Sequence, residues 1–183
     1  MTRTAVQDLL LCAFLCIVCT ANGKELISDG GFESEGSGWK CQGSIGSVVD
    51  WGKHSGEHSY HVHNRHESWS GPVQHIDPSL LKGKTVTLQS YAKLLNEGES
   101  FNYRWTLGMT KGDKQEFVNL LHGHLSYENH WKKMMAEVAM PDMNGVESVR
   151  IYLEGTPVDS HFLIDDVSLK TSINSWKDDA NAR

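Results

Sequence analysis

From Lys24 onward the apolar residues recur at every second position, and a period of two restricts the chain to half-buried strands. It is clearest in Thr85–Lys93, where Val86, Leu88, Ser90 and Ala92 alternate with Thr85, Thr87, Gln89, Tyr91 and Lys93. The same alternation runs through Ser59–Arg65, with Tyr60 and Val62 against His61 and His63, and through Phe101–Met109, Ser148–Glu154 and Phe162–Lys170. Polar, glycine-bearing segments separate them: Lys82–Lys84, Asn96–Glu99, Lys111–Lys114, Asp142–Gly145 and Glu154–Pro157. That spacing is the mark of an antiparallel β-sandwich, so the fold class is all-β. A helical pattern fits only His130–Ala139, where Trp131, Met134, Met135 and Val138 also suit a strand with a bulge; strand is the reading adopted.

Ahead of these strands, Leu9–Cys19 is an unbroken apolar run with Arg3 before it and the small residues Cys19, Ala21 and Gly23 at and after its end. This layout predicts a signal peptide over residues 1–21, with cleavage as late as 23. The run is too short to span a bilayer as a helix. The expectation is a secreted, extracellular protein with no membrane span, folding as one domain over 24–171 with a polar tail over 172–183. Cys12, Cys16 and Cys19 leave with the leader, so Cys41 has no partner for an internal disulfide. It is either a half-buried inert thiol or the link in a disulfide dimer. A net charge of −6 argues against nucleic acid as a partner, which would need a basic face.

Catalytic chemistry finds no foothold. A glycosidase needs two carboxylates about 5 to 10 Å apart across a cleft. The tempting pair, Asp165 and Asp166, would point to opposite faces of a strand. Neither G-x-S-x-G nor H-E-x-x-H occurs. The histidines are unusually dense between His54 and His66, and His61 and His63 share a strand face. Nothing fixes the remaining ligands of a zinc or copper site, so the strand reads as solvated or sugar-facing before it reads as a metal site. Sugar rings stack on aromatic side chains while neighbouring polar groups bond their hydroxyls. On Ser148–Glu154, Val149, Ile151 and Leu153 would face the core and leave Arg150, Tyr152 and Glu154 in a row outside; Gln89 and Tyr91 lie outward likewise. If those strands share a sheet, its open face is a candidate glycan surface, and otherwise it is an ordinary solvated face.

The segment Gly52–Pro72, with Asn64-Arg65, Trp69 and Gly71-Pro72, resembles the family 22 and family 4/9 carbohydrate-binding modules. Their opening is matched by Leu26–Glu33 followed by Gly38-Trp39, and their close by Phe162–Leu169. Gly83–Thr85, Tyr91–Lys93 and Tyr152–Glu154 match in between, so the resemblance covers the whole domain. It implies a two-sheet jelly-roll sandwich that binds a β-linked polysaccharide of the xylan or β-glucan class in a concave groove, without cutting it. Trp69 matches the stacking tryptophan and Glu154 the groove glutamate, with Tyr152, Gln89, Tyr91, Arg150 and Phe117 as further candidates. Near Cys41 and Gln42 the xylan binders tend to carry an arginine, at Arg150 an aromatic residue, and at Phe117 or Asn119 a tyrosine, which implies a shifted glycan preference. The resemblance also implies a structural calcium ion, held by Glu33 and Asp165 with main-chain oxygens of Gly31 and of the His54–Glu57 turn. Such modules are usually joined to a glycoside hydrolase, so an accessory fragment is one alternative; a structural extracellular-matrix protein is the other.

Overall fold

The structure is a computed structural model describing residues 23–172 except Asn129. The leader over 1–21 and the tail from residue 173 lie outside the described residues. Ten strands form: β1 Lys40–Gln42, β2 Ile45–Val49, β3 Ser59–His63, β4 Gly71–Ile76, β5 Thr85–Leu94, β6 Ser100–Lys111, β7 Lys114–Ser126, β8 Lys132–Ala139, β9 Ser148–Thr156 and β10 Phe162–Thr171. They make two antiparallel five-stranded sheets, ordered β1-β4-β9-β6-β7 and β2-β3-β10-β5-β8. Only β2-β3 and β6-β7 are hairpins within a sheet; the other connections cross between sheets, as a jelly roll requires. A single turn of 3-10 helix, Pro78–Leu80, is capped by the Asp77 carboxylate and leads into β5.

Every strand expected from alternation is present, including β8 within the ambiguous His130–Ala139 segment. The alternation also assigns the faces: Val86, Leu88 and Ala92 on β5, Tyr60 and Val62 on β3, and Val149, Ile151 and Leu153 on β9 are all buried in the core. Four strands carry no such signal. β4 is buried on both faces except at His75, so it reads as a run and not an alternation. β7 is a polar edge strand whose register slips opposite Trp105 and Thr106, where Leu120 turns into the core. β1 and β2 are short.

The two inner faces interlock through large side chains. Phe101 of β6 stacks on Phe162 of β10 at 5.0 Å, and the indole N–H of Trp105 donates to the Ser90 hydroxyl at 3.0 Å, satisfying both polar atoms inside the core. Phe32, in the segment before β1, stacks on Tyr60 at 5.0 Å and lies 5.5 Å from Trp39. The N-terminal segment is thereby packed into the sandwich without a disulfide.

One buried cation organises the edge of the sandwich. Arg65, just after β3, is 4% exposed. Its guanidinium donates to the carbonyls of Ser68, Ser70, Gly155 and Pro157 at 3.3, 2.8, 2.6 and 2.9 Å. Its flat face lies 4.9 Å from the Phe101 ring centroid and 5.7 Å from that of Phe162. Burial lowers its pKa to about 10, which leaves it charged at neutral pH.

Candidate functional site

The outer face of the β1-β4-β9-β6-β7 sheet carries a groove of about 670 Å³ lined by Gln42, Ser68, Trp69, Arg104, Thr106, Phe117, Asn119, Arg150, Tyr152 and Glu154. Strand pairing builds its floor. Arg104 stands opposite Glu154, Thr106 opposite Tyr152 and Gly108 opposite Arg150, so these side chains share one face. Tyr152 is 3% and Glu154 7% exposed, whereas Trp69 at 47% and Phe117 at 56% project from the walls. Exposed aromatic walls above a buried polar floor are what a stacked sugar ring needs.

Glu154 is held in place from one side. Its Oε1 accepts from Arg104 Nε at 2.9 Å and from the Thr106 hydroxyl, leaving Oε2 without a bond from any described residue and free to accept from a ligand hydroxyl. Burial raises the Tyr152 phenol pKa, the nearby Glu154 charge adds to it, and the ring stays neutral. Arg150 lies 5.6 Å above the Tyr152 ring. Gly108 makes room for it: a Cβ there would come within 3.1 Å of Arg150 Nε and 3.5 Å of the Phe117 ring. The wall that carries Trp69 is fixed by Arg65, which binds the carbonyls on either side of it, and by Gly155, whose N–H donates to Ser68 O at 2.8 Å.

Of the expected sugar-binding residues, the structure gathers Trp69, Phe117, Arg150, Tyr152 and Glu154 around this groove. Gln89 and Tyr91 do not join them. They lie on β5, in the other sheet, so the condition that their strand and β9 share a sheet does not hold. Tyr91 instead stacks on His54 at 3.6 Å, at the opposite surface of the sandwich. Arg65, Arg104 and Thr106 were not singled out from the sequence, although alternation along Phe101–Met109 places Arg104 and Thr106 outward.

The residues expected around calcium also meet. Glu33 Oε1 accepts from the Glu57 and His58 N–H groups at 2.9 and 3.1 Å, and Asp165 Oδ2 accepts from those of His54 and Ser55 at 2.9 and 3.1 Å. Gly31 adjoins: a Cβ there would lie 3.9 Å from Glu33 Cγ and 4.0 Å from Asp166 Oδ1. Toward these carboxylates the 54–58 turn presents N–H groups, not the expected carbonyls. Among the described residues, no three His, Cys, Asp or Glu side chains are grouped to hold a metal ion. Asp165 is nevertheless fully buried, no Lys or Arg among the described residues pairs with it, and burial raises its pKa against the opposing bonds from the Ser55, His54 and Asp166 N–H groups. The alternation argument also fails at this point. Asp166 has φ of 48° at a bulge, so Asp165 and Asp166 both reach the same turn, Asp166 through Ser55 Oγ at 2.7 Å and through His54.

Cys41 is half-buried, its sulfur 3.8 Å from the Tyr60 hydroxyl, and burial raises its thiol pKa. A disulfide dimer through this residue therefore has no support.

His61 and His63 stack at 4.6 Å on the outer face of β3, with His161 6.3 and 6.0 Å away and Trp51 edge-on to His61. His61 Nε2 is buried without a hydrogen-bond partner among the described residues, and burial, aided by His63 and His161, lowers the pKa to about 4.

The comparisons with known proteins agree with one another. A family model described as a carbohydrate binding domain, CBM_4_9, matches residues 24–160. Endo-1,4-beta-xylanase A of Thermoanaerobacterium saccharolyticum is 24% identical over 142 residues, which make up 76% of this chain; the chain spans only 12% of that relative. Among solved structures, the CBM22-1 xylan-binding domain from Paenibacillus barcinonensis Xyn10C superposes with a TM-score of 0.71 at 20% identity, covering 82% of this chain and 96% of that one. The C-terminal family 22 carbohydrate binding module of Clostridium thermocellum Xyn10B gives a TM-score of 0.71 at 16% identity, over 84% and 96%. At such identities the two structures speak for the fold.

The histidine cluster yields a pH prediction. The unfolded chain protonates His61 near pH 6.5 and the folded chain only near 4, so unfolding takes up a proton between these values and stability falls as pH drops through that window. With solvent screening the effect is about 1 to 2 kcal/mol. Urea titrations at pH 7 and pH 4.5 should show that His61→Gln loses less stability on acidification than the wild type; equal losses would contradict the assignment.

Proposed function

The chain belongs to the CBM_4_9 carbohydrate binding domain family, and on that premise we propose that it is a non-catalytic module that binds a β-linked polysaccharide of the xylan or β-glucan class in the groove between Trp69 and Phe117. The observation that carries this reading is the pairing of half-exposed Trp69 with the buried, pre-oriented Glu154 beneath it. A pyranose face stacks on the indole, while Glu154 Oε2 and the Gln42 and Asn119 amides bond its hydroxyls. No reaction is assigned to the floor, whose one carboxylate is already bonded to Arg104 and Thr106. The module acts outside the cell after removal of residues 1–21, alone or as an accessory to a glycoside hydrolase.

Affinity electrophoresis in gels loaded with xylan, β-glucan or chitin tests the reading. Retardation by at least one β-linked polymer is expected, and Trp69→Ala should weaken it by about tenfold, the equivalent of about 1.4 kcal/mol. Retardation that Trp69→Ala leaves unchanged would remove the groove from the account.

A structural calcium ion belongs to the same proposal. The residues fit a hard cation in that Asp165 is a buried carboxylate without a basic partner and Glu33 reaches the same 54–58 turn. Glu33 and Asp165 would hold the ion with the main-chain oxygen of Gly31, while the N–H groups of the 54–58 turn keep the two carboxylates in place, and the ion would tie the N-terminal segment to β10. Because such an ion binds only the folded chain, removing it with a chelator should lower the midpoint of thermal unfolding by several degrees, reversibly on adding calcium. Glu33→Gln should abolish the difference. Identical melting with and without chelator in the wild type would rule the ion out.

A further inference from the structure

The charge on the groove face differs in sign from that of the chain. The protein carries −6 overall. Strand registers place Lys40 in line with Val73 and Tyr152, His75 with Arg150, and His122 with Arg104 and Glu154, with His124 beside Asn102. The strand residues of this face therefore include the cations Lys40, Arg104 and Arg150 against one carboxylate, Glu154, together with the polar rings of His75, His122 and His124. Glu154 is already neutralised by Arg104 at 2.9 Å. Arg150 is not engaged in this way: none of the ion pairs among the described residues includes it, and its guanidinium lies between the Tyr152 ring and the bare Gly108 backbone, inside the groove. The same face carries a further hollow beside the first cavity. A second hollow of about 630 Å³ shares Ser68, Arg104 and Asn119 with it and adds Asn102, His122 and His124.

A neutral polysaccharide uses a stacking wall and hydroxyl partners, but it has no use for an uncompensated guanidinium in the groove. A carboxylate does, because its two oxygens match the planar fork of arginine. We propose that the groove selects β-linked polysaccharides bearing uronate groups, and that Arg150 is the residue that takes the uronate carboxylate. This inference rests on the polysaccharide-binding reading above and specifies the substrate class within it. Lys40 adds a diffuse attraction that draws an anionic polymer onto this face of an otherwise acidic protein. A glycan carboxylate near Tyr152 keeps contact with solvent, so the contribution is a preference among polymers and not an all-or-none requirement.

The test compares glucuronoxylan with the same polymer after chemical reduction of its carboxyl groups, by calorimetric titration of the wild type, Arg150→Gln, Arg150→Lys and Trp69→Ala. The wild type should bind the native polymer about fivefold more tightly than the reduced one, and added salt should shrink that ratio. Arg150→Gln should bring the ratio to about one while still binding the reduced polymer, which shows that the variant is folded. Arg150→Lys should retain part of the preference, and Trp69→Ala should weaken both polymers alike. Equal wild-type affinity for the two polymers, with Trp69 still required, would overturn the uronate inference and leave the binding reading standing. The uronate inference would also fail if the preference persisted in Arg150→Gln. If neither polymer bound, the uronate inference would fall, and the binding reading would fall with it only if the gels showed no retardation by any β-linked polymer.

Discussion

The groove depends on a buried arginine that is not part of its lining. Arg65 reaches backbone carbonyls of the 68–70 loop, of the end of β9 and of the loop that follows it, and covers the stacked Phe101 and Phe162 rings that join the two sheets. Removing a guanidinium from water is expensive, and it is tolerated here because its N–H groups are spent on carbonyls that would otherwise be buried without donors. The loop bearing Trp69 and the end of the strand bearing Glu154 are thereby locked to each other. A flexible loop would surrender its ordering entropy on each binding event, whereas this one has surrendered it on folding.

The two outer faces of the sandwich serve different ends. On the β1-β4-β9-β6-β7 sheet, pairing of β9 with β6 brings Glu154, Arg104, Thr106 and Tyr152 together, and the aromatic residues at its borders remain exposed. The other sheet spends its aromatic and polar residues on itself: Tyr91 on His54, His54 on Asp166, and His61 on His63 and Trp51. Rings already stacked on each other offer less face to a ligand.

Alternation along a strand tells which side chains leave the core, and it did so for Arg150, Tyr152 and Glu154. It is silent on which strands become neighbours. Gln89 and Tyr91 are outward, as the pattern requires, yet they face away from the groove because β5 lies in the opposite sheet. Periodicity also presumes regular backbone, so the bulge at Asp166, with its left-handed φ, reversed the expectation for an adjacent pair of carboxylates. The buried role of Arg65 was not legible for a third reason. Its polarity marks it as a surface residue, and only the carbonyls that converge on it make its burial tolerable. The long resemblance through Gly52–Pro72 supplied what the periodicity could not, Trp69 as a groove candidate, and the structure has it line the same cavity as Arg150, Tyr152 and Glu154.

The most direct measurement is an amide nitrogen–proton NMR titration of the folded module with an oligosaccharide of the polymer it retains in a gel. Shifts confined to Trp69, Thr106, Phe117, Tyr152, Glu154 and their neighbours on the β1-β4-β9-β6-β7 sheet are the predicted result. Shifts centred on β3, β5 and β10, with the groove residues silent, would contradict the account.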